Sequence, residues 1–200
     1  MTFELFAGLV LFALVSSITP GPNNLMLMAS GANFGFKRTL PHLFGVELGF
    51  TLLVLSVGTG IGNLLEVSPN SLTALRVMCT VYIGYLAMRL AGTNSVATLT
   101  SDSARPMTTV EAVLFQWVNP KAWAMALSAV SLFVPSPSFS LVLIVAVVFV
   151  VVGVPCVSAW TLLGEQLQMK LGTKKRLRRF NAVMSLTLVA SVLPMLKTGA

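Results

Sequence analysis

Polar residues that could bind a ligand lie beside prolines within the apolar runs of this chain. The stretch "ITPGPNN", residues 18–24, separates one apolar run from another, "LMLMASGA". Pro20 and Pro22 have no backbone N–H, so the carbonyls of Ser16 and Ile18 lose their helical donors. Unpaired carbonyls in apolar surroundings are costly unless they face protein or water. The sequence therefore predicts that this break lines a cavity.

The residues after the break predict a site for an anionic group. Gly21 tolerates unusual backbone angles, and Pro22 suits the first turn of a new helix. Asn23 and Asn24 would lie close to the exposed N–H groups of that turn. A helix N-terminus carries partial positive charge and spare donors, which suit a carboxylate. The alternative is a proline kink that neighbouring helices and water repair.

A second interruption occurs in "FQWVNPKAW", residues 115–123. Pro120 removes the donor for the carbonyl of Gln116, while Gln116, Asn119 and Lys121 bring polar side chains into an apolar span. Lys121 lies about 15 Å from either end of that span at a rise of ~1.5 Å per residue. A buried ammonium requires a partner or a shifted pKa, which favours a functional group over a purely structural ion pair.

Glu47, in "HLFGVELGF", is the available partner for Lys121. Its helix enters from the same side of the membrane, and the two side chains lie at similar depths. Two interpretations stay open, namely a proton-relay or ion-pair role and a carboxylate that reaches cytoplasmic water. Gly45 and Gly49 form a G-x-x-x-G pattern, which predicts close packing of this helix against another.

The composition indicates a polytopic membrane protein. Hydrophobic residues make up 56% of the chain and charged residues 10%, and the mean hydropathy is +0.87, values outside the soluble range. The net charge of +7 falls mostly in short loops, so we predict no nucleic-acid partner. Cys79 and Cys156 are far apart and not accompanied by histidine, so we predict no metal site and no cofactor.

Six apolar segments approach the ~20 residues that a helix needs to cross a bilayer. The basic residues follow the first, third and fifth of them, and by the positive-inside rule these loops are cytoplasmic and both termini extracytoplasmic. We therefore predict a single transmembrane domain, residues 1–200, with cytoplasmic loops at about 32–40, 92–110 and 163–179. The predicted segments are 4–31, 41–62, 71–91, 111–133, 139–162 and 180–197.

A weak internal repeat relates the two halves of the chain. Pro20 and Pro120 are one hundred residues apart, and each interrupts the first segment of three. Three spans per half force opposite orientations, so the repeats, about 1–92 and 108–200, would be inverted. Interrupted helices at corresponding positions of inverted halves are typical of the central site of a transporter. The predicted fold is thus all-α, with six helices and proline-broken first and fourth helices.

Four motifs together resemble the lysine/threonine exporter (RhtB/LysE) family of bacterial inner-membrane amino-acid exporters. They are "TPGPNN" after the first apolar run, G-x-x-x-G in the second segment, "YIGYLA" in the third and "NPKAW" in the fourth. The resemblance covers nearly the whole chain. It implies efflux of amino acids or close derivatives by exchange with protons or another ion, and it places the functional residues at Pro20, Gly21, Pro22, Asn23, Asn119, Pro120 and Lys121.

The chain departs from the family pattern at two places. Many members carry a glycine early in the sixth segment, where this chain reads "NAVMSLTLV", and Glu47 is not part of the motif. The missing glycine and the second asparagine after P-G-P look closer to the cysteine/O-acetylserine exporter branch.

These observations predict a secondary exporter of a small amino acid or derivative in the inner membrane, not an enzyme. We expect substrate contacts from Pro20, Gly21, Pro22, Asn23, Asn24, Gln116, Asn119, Pro120 and Lys121, and proton coupling at Glu47. The expected partners are the substrate, protons or another coupling ion and the lipid bilayer, with homo-oligomerisation left open. The alternatives are a metal-ion exporter, a thiol-disulfide electron carrier that joins Cys79 to Cys156, and a structural subunit without transport.

Overall fold

The computed structural model describes residues 1–61, 69–92, 105–171 and 173–191, and within them every regular element is helical. A π-helical turn, Val57–Ile61, follows the third helix. The predicted all-α class is confirmed for the described residues. Numbered in chain order, the helices are α1 (Phe3–Ile18), α2 (Pro22–Phe34), α3 (Phe36–Ser56), α4 (Pro69–Ala91), α5 (Thr109–Trp117), α6 (Pro120–Phe133), α7 (Phe139–Leu171) and α8 (Lys174–Ala190).

Both predicted proline interruptions are present. The axes of α1 and α2 differ by 53° across the break, and Pro22 is the first residue of α2 with Gly21 as its N-cap. The second break falls at Asn119, which is extended at φ −99° and ψ 107°, and Pro120 begins α6. In each case proline occupies the helix position where a missing N–H is harmless.

Two of the predicted cytoplasmic loops are largely helical in the structure, and their placement on the cytoplasmic side stays a prediction. Within 32–40, only Gly35 separates α2 from α3, and its φ of +80° makes the sharp turn that glycine permits. The N–H of Phe36 donates to Oε1 of Glu165 at 2.9 Å, which caps α3 from another helix. Within 163–179, α7 continues to Leu171 and α8 begins at Lys174. Lysine, arginine, glutamine and leucine favour helix, so the charge pattern there marked a polar surface rather than an irregular loop.

Two helices in the described part of the chain are long and apolar enough to cross a bilayer, Phe36–Gly60 and Phe139–Gln168. The bent pair α1 and α2 makes a third span if it is counted as one. The six-span inverted arrangement therefore stays a prediction. Residues 62–68, 93–104 and 192–200, which include most of the predicted loop at 92–110 and the end of the sixth segment, lie outside the described residues.

Helix α7 packs against α1, α2 and α3, while α4 packs against α8. The α2–α7 crossing depends on glycine, since a Cβ on Gly31 would collide with the carbonyl of Thr161, and one on Gly164 with that of Met28. The predicted G-x-x-x-G of α3 packs on α5 in the same way, because a Cβ on Gly45 would lie 2.5 Å from the carbonyl oxygen of Thr109. These close contacts bring the two breaks to the same part of the molecule.

Candidate functional site

A small cavity lies where the break between α1 and α2 and the start of α6 face α3 and α7. Its volume is about 40 Å³, on a scale where one water occupies ~10–15 Å³. Polar groups line it at the two breaks, at Lys121 and at Glu47, and apolar groups of α3, α6 and α7 complete the lining. The lining residues are Ser16, Ser17, Gly21, Asn23, Asn24, Val46, Glu47, Phe50, Asn119, Lys121, Ala122, Met125, Phe149 and Val157.

Side-chain donors from other elements satisfy the carbonyls released at the end of α1. The amide nitrogen of Asn24 donates to the carbonyls of Ser17 at 2.7 Å and Thr19 at 2.9 Å. Nζ of Lys121 donates to the same Thr19 carbonyl at 2.6 Å, across 102 residues of sequence. The C-terminal end of a helix carries partial negative charge, so it suits an ammonium. Lys121 therefore joins the second interruption to the first.

A reciprocal amide pair makes a second connection between the two interruptions. Nδ2 of Asn23 donates to Oε1 of Gln116 at 2.8 Å, and Nε2 of Gln116 donates to Oδ1 of Asn23 at 3.2 Å. Gln116 has no solvent exposure and also donates to the carbonyl of Ala112 at 3.0 Å. It orients Asn23 without lining the cavity itself.

The start of α6 is capped by its own side chain. Oδ1 of Asn119 accepts from the backbone N–H of Lys121 at 3.2 Å, and Asn119 is 1% exposed. This bond satisfies one of the free donors at the helix N-terminus. Asn119 thus fixes the position from which the Lys121 side chain extends over Gly21, where a Cβ would lie 2.6 Å from Cδ of the lysine.

Glu47 reaches the cavity from α3. It is 9% exposed, and its carboxylate lies against the backbone of Gly153 on α7, where a Cβ would be 2.8 Å from each oxygen. Among the described residues, neither an ion pair nor a side-chain hydrogen bond engages this carboxylate. Of the roles left open for Glu47, a direct ion pair with Lys121 is not formed, although both side chains line the same cavity.

Two tryptophans donate hydrogen bonds to backbone carbonyls at the breaks, which the sequence did not predict. Nε1 of Trp160, on α7, donates to the carbonyl of Ile18 at 3.1 Å. Nε1 of Trp123 donates to the carbonyl of Trp117 at 3.0 Å. Each indole thus satisfies a carbonyl at the end of the helix that precedes a break. The sequence gives no signal for these bonds, because an indole has one polar group and nothing in the sequence shows which way it points.

The structure brings most of the predicted site residues together. Those that line the cavity are Gly21, Asn23, Asn24, Glu47, Asn119 and Lys121. Pro20, Pro22 and Pro120 lie in the interruptions and shape the backbone, and Gln116 lies behind Asn23. Of the two carbonyls expected to be released, that of Ile18 is engaged by Trp160, and no described side-chain donor reaches that of Ser16.

The cavity combines two opposite charges with neutral donors. The ammonium lies at the break that precedes α2, the N-termini of α2 and α6 begin beside the cavity, and the carboxylate lies against α7. Such an arrangement can hold a molecule with both an anionic and a cationic group. Within the described ranges, no group of three or more His, Cys, Asp or Glu side chains is placed to hold a metal ion. Cys79 and Cys156 are both free and buried.

The sequence matches a known protein family and resembles named members of known function. The family model described as "LysE type translocator" matches residues 14–194. The chain is 29% identical over 192 residues to proteins named "Cysteine/O-acetylserine efflux protein" from Escherichia coli (strain K12), Shigella sonnei (strain Ss046) and Shigella flexneri. The match to the first two covers 94% of this chain and 96% of the relative. No solved structure matches.

Proposed function

The chain belongs to the LysE-type translocator family, and from this premise we propose that it exports a small amino acid or amino-acid derivative from the cytoplasm. Members of this family are transporters rather than enzymes. The named relatives are efflux proteins for cysteine and O-acetylserine, which favours substrates of that size. A multi-pass protein of the inner membrane, with both termini extracytoplasmic and six helices in two inverted halves, fits this assignment and the distribution of basic residues.

The cavity between the two interrupted helices is the observation that supports a transport site. The carboxylate of the substrate would meet the start of α2 near Asn23 and Asn24, with Lys121 and Asn119 beside it. The backbone at Gly21 lets the lysine cross the break. Polar groups of this kind persist within a membrane only where they face a cavity or each other.

Alternating access would open this site first to one side and then to the other. The cavity, about 40 Å³, has space for roughly three waters, which is less than an amino acid requires. We therefore infer that one half moves relative to the other when a substrate enters. The bonds across the breaks, from Lys121 to Thr19 and from Gln116 to Asn23, are the contacts that such a movement would rearrange.

We assign proton coupling to Glu47. A carboxylate that is buried without a cationic partner is stable mainly in its protonated form, and it becomes ionised when a cavity opens to water. Export by proton antiport needs one group that loses its proton on the cytoplasmic side and regains it outside. Glu47 is the acidic residue that lines the cavity.

An export panel tests this function. Cells with and without the protein are loaded with dipeptides of individual amino acids or with O-acetyl-L-serine, and excretion and growth protection are compared. We expect faster excretion of at least one small amino acid, and loss of that difference with Lys121→Met. A panel without any difference would instead favour a subunit that does not transport, and excretion unchanged by both Lys121→Met and Glu47→Gln would refute the assigned site.

A further inference from the structure

The Glu47 carboxylate has an environment that suits a cationic ligand. It is 91% buried, since 9% of the residue is exposed, and it opens into the cavity rather than into packed side chains. No described side chain donates a hydrogen bond to it. A buried anion in this condition is strongly destabilised until a proton or a cation joins it.

Lys121 does not supply that cation. Its ammonium is engaged by the carbonyl of Thr19 at 2.6 Å, at the end of α1. The neighbouring donors are engaged as well, because Asn24 bonds Ser17 and Thr19, and Asn23 bonds Gln116. Of the two ionic groups that line the described cavity, the carboxylate is therefore the one that makes no hydrogen bond.

Helix α7 is shaped to leave room beside this carboxylate. Phe149, Gly153 and Val157 recur every four residues and so share one face of the helix. Phe149 and Val157 line the cavity with apolar surface, and the glycine between them provides a notch that both carboxylate oxygens touch. Any larger residue at this position would place a Cβ 2.8 Å from each oxygen.

We propose that Glu47 binds the α-ammonium group of the substrate and that Gly153 positions the carboxylate to do so. This inference rests on the proposed export function, and it assigns recognition of the ammonium end of the substrate to Glu47 and Gly153. Amino acids with an acylated nitrogen would be rejected, because they would leave Glu47 buried without a partner.

The same assignment explains how export could be coupled to protons. A proton and an ammonium compete for the same two oxygens, so binding of one releases the other. The groups that face Glu47 from the elements around it are Lys121 on α6 and Cys156, one turn after Gly153 on α7, together with the neutral amides of Asn23 and Asn24 on α2. None of these is a second carboxylate that could take over the exchange.

Two isomers, O-acetyl-L-serine and N-acetyl-L-serine, test the inference directly. They have the same atoms and a carboxylate each, but only the first has a free amine. We would reconstitute the purified protein into liposomes and measure kcat and KM for both at mildly acidic pH. We expect kcat/KM to be at least about tenfold higher for the O-acetyl isomer, which corresponds to ~1.4 kcal/mol. If another amino acid proves to be the substrate, that amino acid and its N-acetyl derivative replace the pair.

Matched variants distinguish an effect on substrate binding from an effect on folding. In Gly153→Ala, the new methyl group meets the movable end of the Glu47 side chain rather than backbone, so the protein should fold while KM rises about tenfold for the amine-bearing isomer. Gly84→Ala is the control, since a Cβ there contacts nothing within 4 Å. Glu47→Gln should raise KM and reduce the discrimination between isomers.

Three results would overturn the inference. They are equal kcat/KM for the two isomers, a Glu47→Gln variant with lower kcat but unchanged KM, or a Gly153→Ala variant that behaves like Gly84→Ala. The second result would leave Glu47 as a proton-coupling group only, and the proposed export would stand. Transport of no amino acid at all would instead refute the proposed function.

Discussion

The reciprocal amide pair between Asn23 and Gln116 connects the start of α2 to α5, and it provides a quantitative test of the site. The change is Gln116→Leu, which keeps the side-chain volume close to that of glutamine and removes its polar atoms. Two hydrogen bonds join the pair, at 2.8 and 3.2 Å. Side-chain hydrogen bonds in membrane proteins contribute ~0.6 kcal/mol each on average and ~1.7 at most. The pair should therefore contribute about 1–2 kcal/mol.

A double-mutant cycle isolates this contribution. Gln116 also donates to the carbonyl of Ala112 at 3.0 Å, so the single variant loses more than the pair. Unfolding free energies are measured for the wild type, Asn23→Ala, Gln116→Leu and the double variant in the same detergent. The coupling energy excludes the bond to Ala112, because that bond is absent from both Gln116 variants. We expect a coupling of about 1 kcal/mol or more.

The effect of the Asn23–Gln116 pair on transport can be tested with a matched control. Release of Asn23 should raise KM about fivefold, since ~1 kcal/mol of orientation is lost. Asn33 and Asn181 form another reciprocal pair, at 2.9 and 3.0 Å, between α2 and α8. Asn181→Leu should reduce stability similarly and leave KM unchanged. A coupling below ~0.3 kcal/mol, or an equal rise in KM from Asn181→Leu, would refute the role assigned to Gln116.

Three further outcomes are expected. Gly164→Ala should lower the Tm in detergent, because its methyl group meets the backbone of Met28 and overpacking costs ~1–3 kcal/mol; a Tm as high as that of Gly84→Ala would contradict the tight crossing. Trp160→Phe should cost about 1 kcal/mol, the ordinary contribution of a hydrogen bond, since the carbonyl of Ile18 loses its donor; an unchanged unfolding free energy would show that this bond contributes nothing. A periplasmic reporter fused to the C-terminus should be active and a cytoplasmic one inactive, and the reverse pattern would invert the predicted topology.

The interruptions were predictable because they depend on local chemistry. Proline cannot donate a backbone hydrogen bond, and before Pro22 and Pro120 stand Gly21 and Asn119, residue types that favour the N-cap of a new helix. Pro41 and Pro155 follow leucine and valine instead, and they lie inside α3 and α7. The apolar composition likewise predicted that the chain lies in a membrane. Helix ends near charged segments were less predictable, since Lys174 and its neighbours are compatible with both helix and loop. α7 consequently extends past its predicted end.

The partners of the polar side chains depended on contacts between distant parts of the chain. Glu47 was the available partner for Lys121 in the sequence, but the ammonium donates to the carbonyl of Thr19. Depth in a membrane restricts a side chain to a layer and does not specify its direction within that layer. The C-terminal end of α1 offers a carbonyl with partial negative charge. The sequence does not show that this acceptor is within reach of Lys121, because that depends on the geometry of the break.

By itself the sequence determined that the chain is helical and apolar, that its first and fourth predicted segments break at proline, and which polar residues lie beside those breaks. These properties follow from the bonding of each residue to its near neighbours. Only the tertiary structure decided that Lys121 closes over Gly21, that Trp160 satisfies Ile18, and that Glu47 lies without a partner against Gly153. The reason is that each of those contacts joins residues of different helices. Whether such residues meet depends on how closely the helices pack, and the sequence of one segment does not specify that.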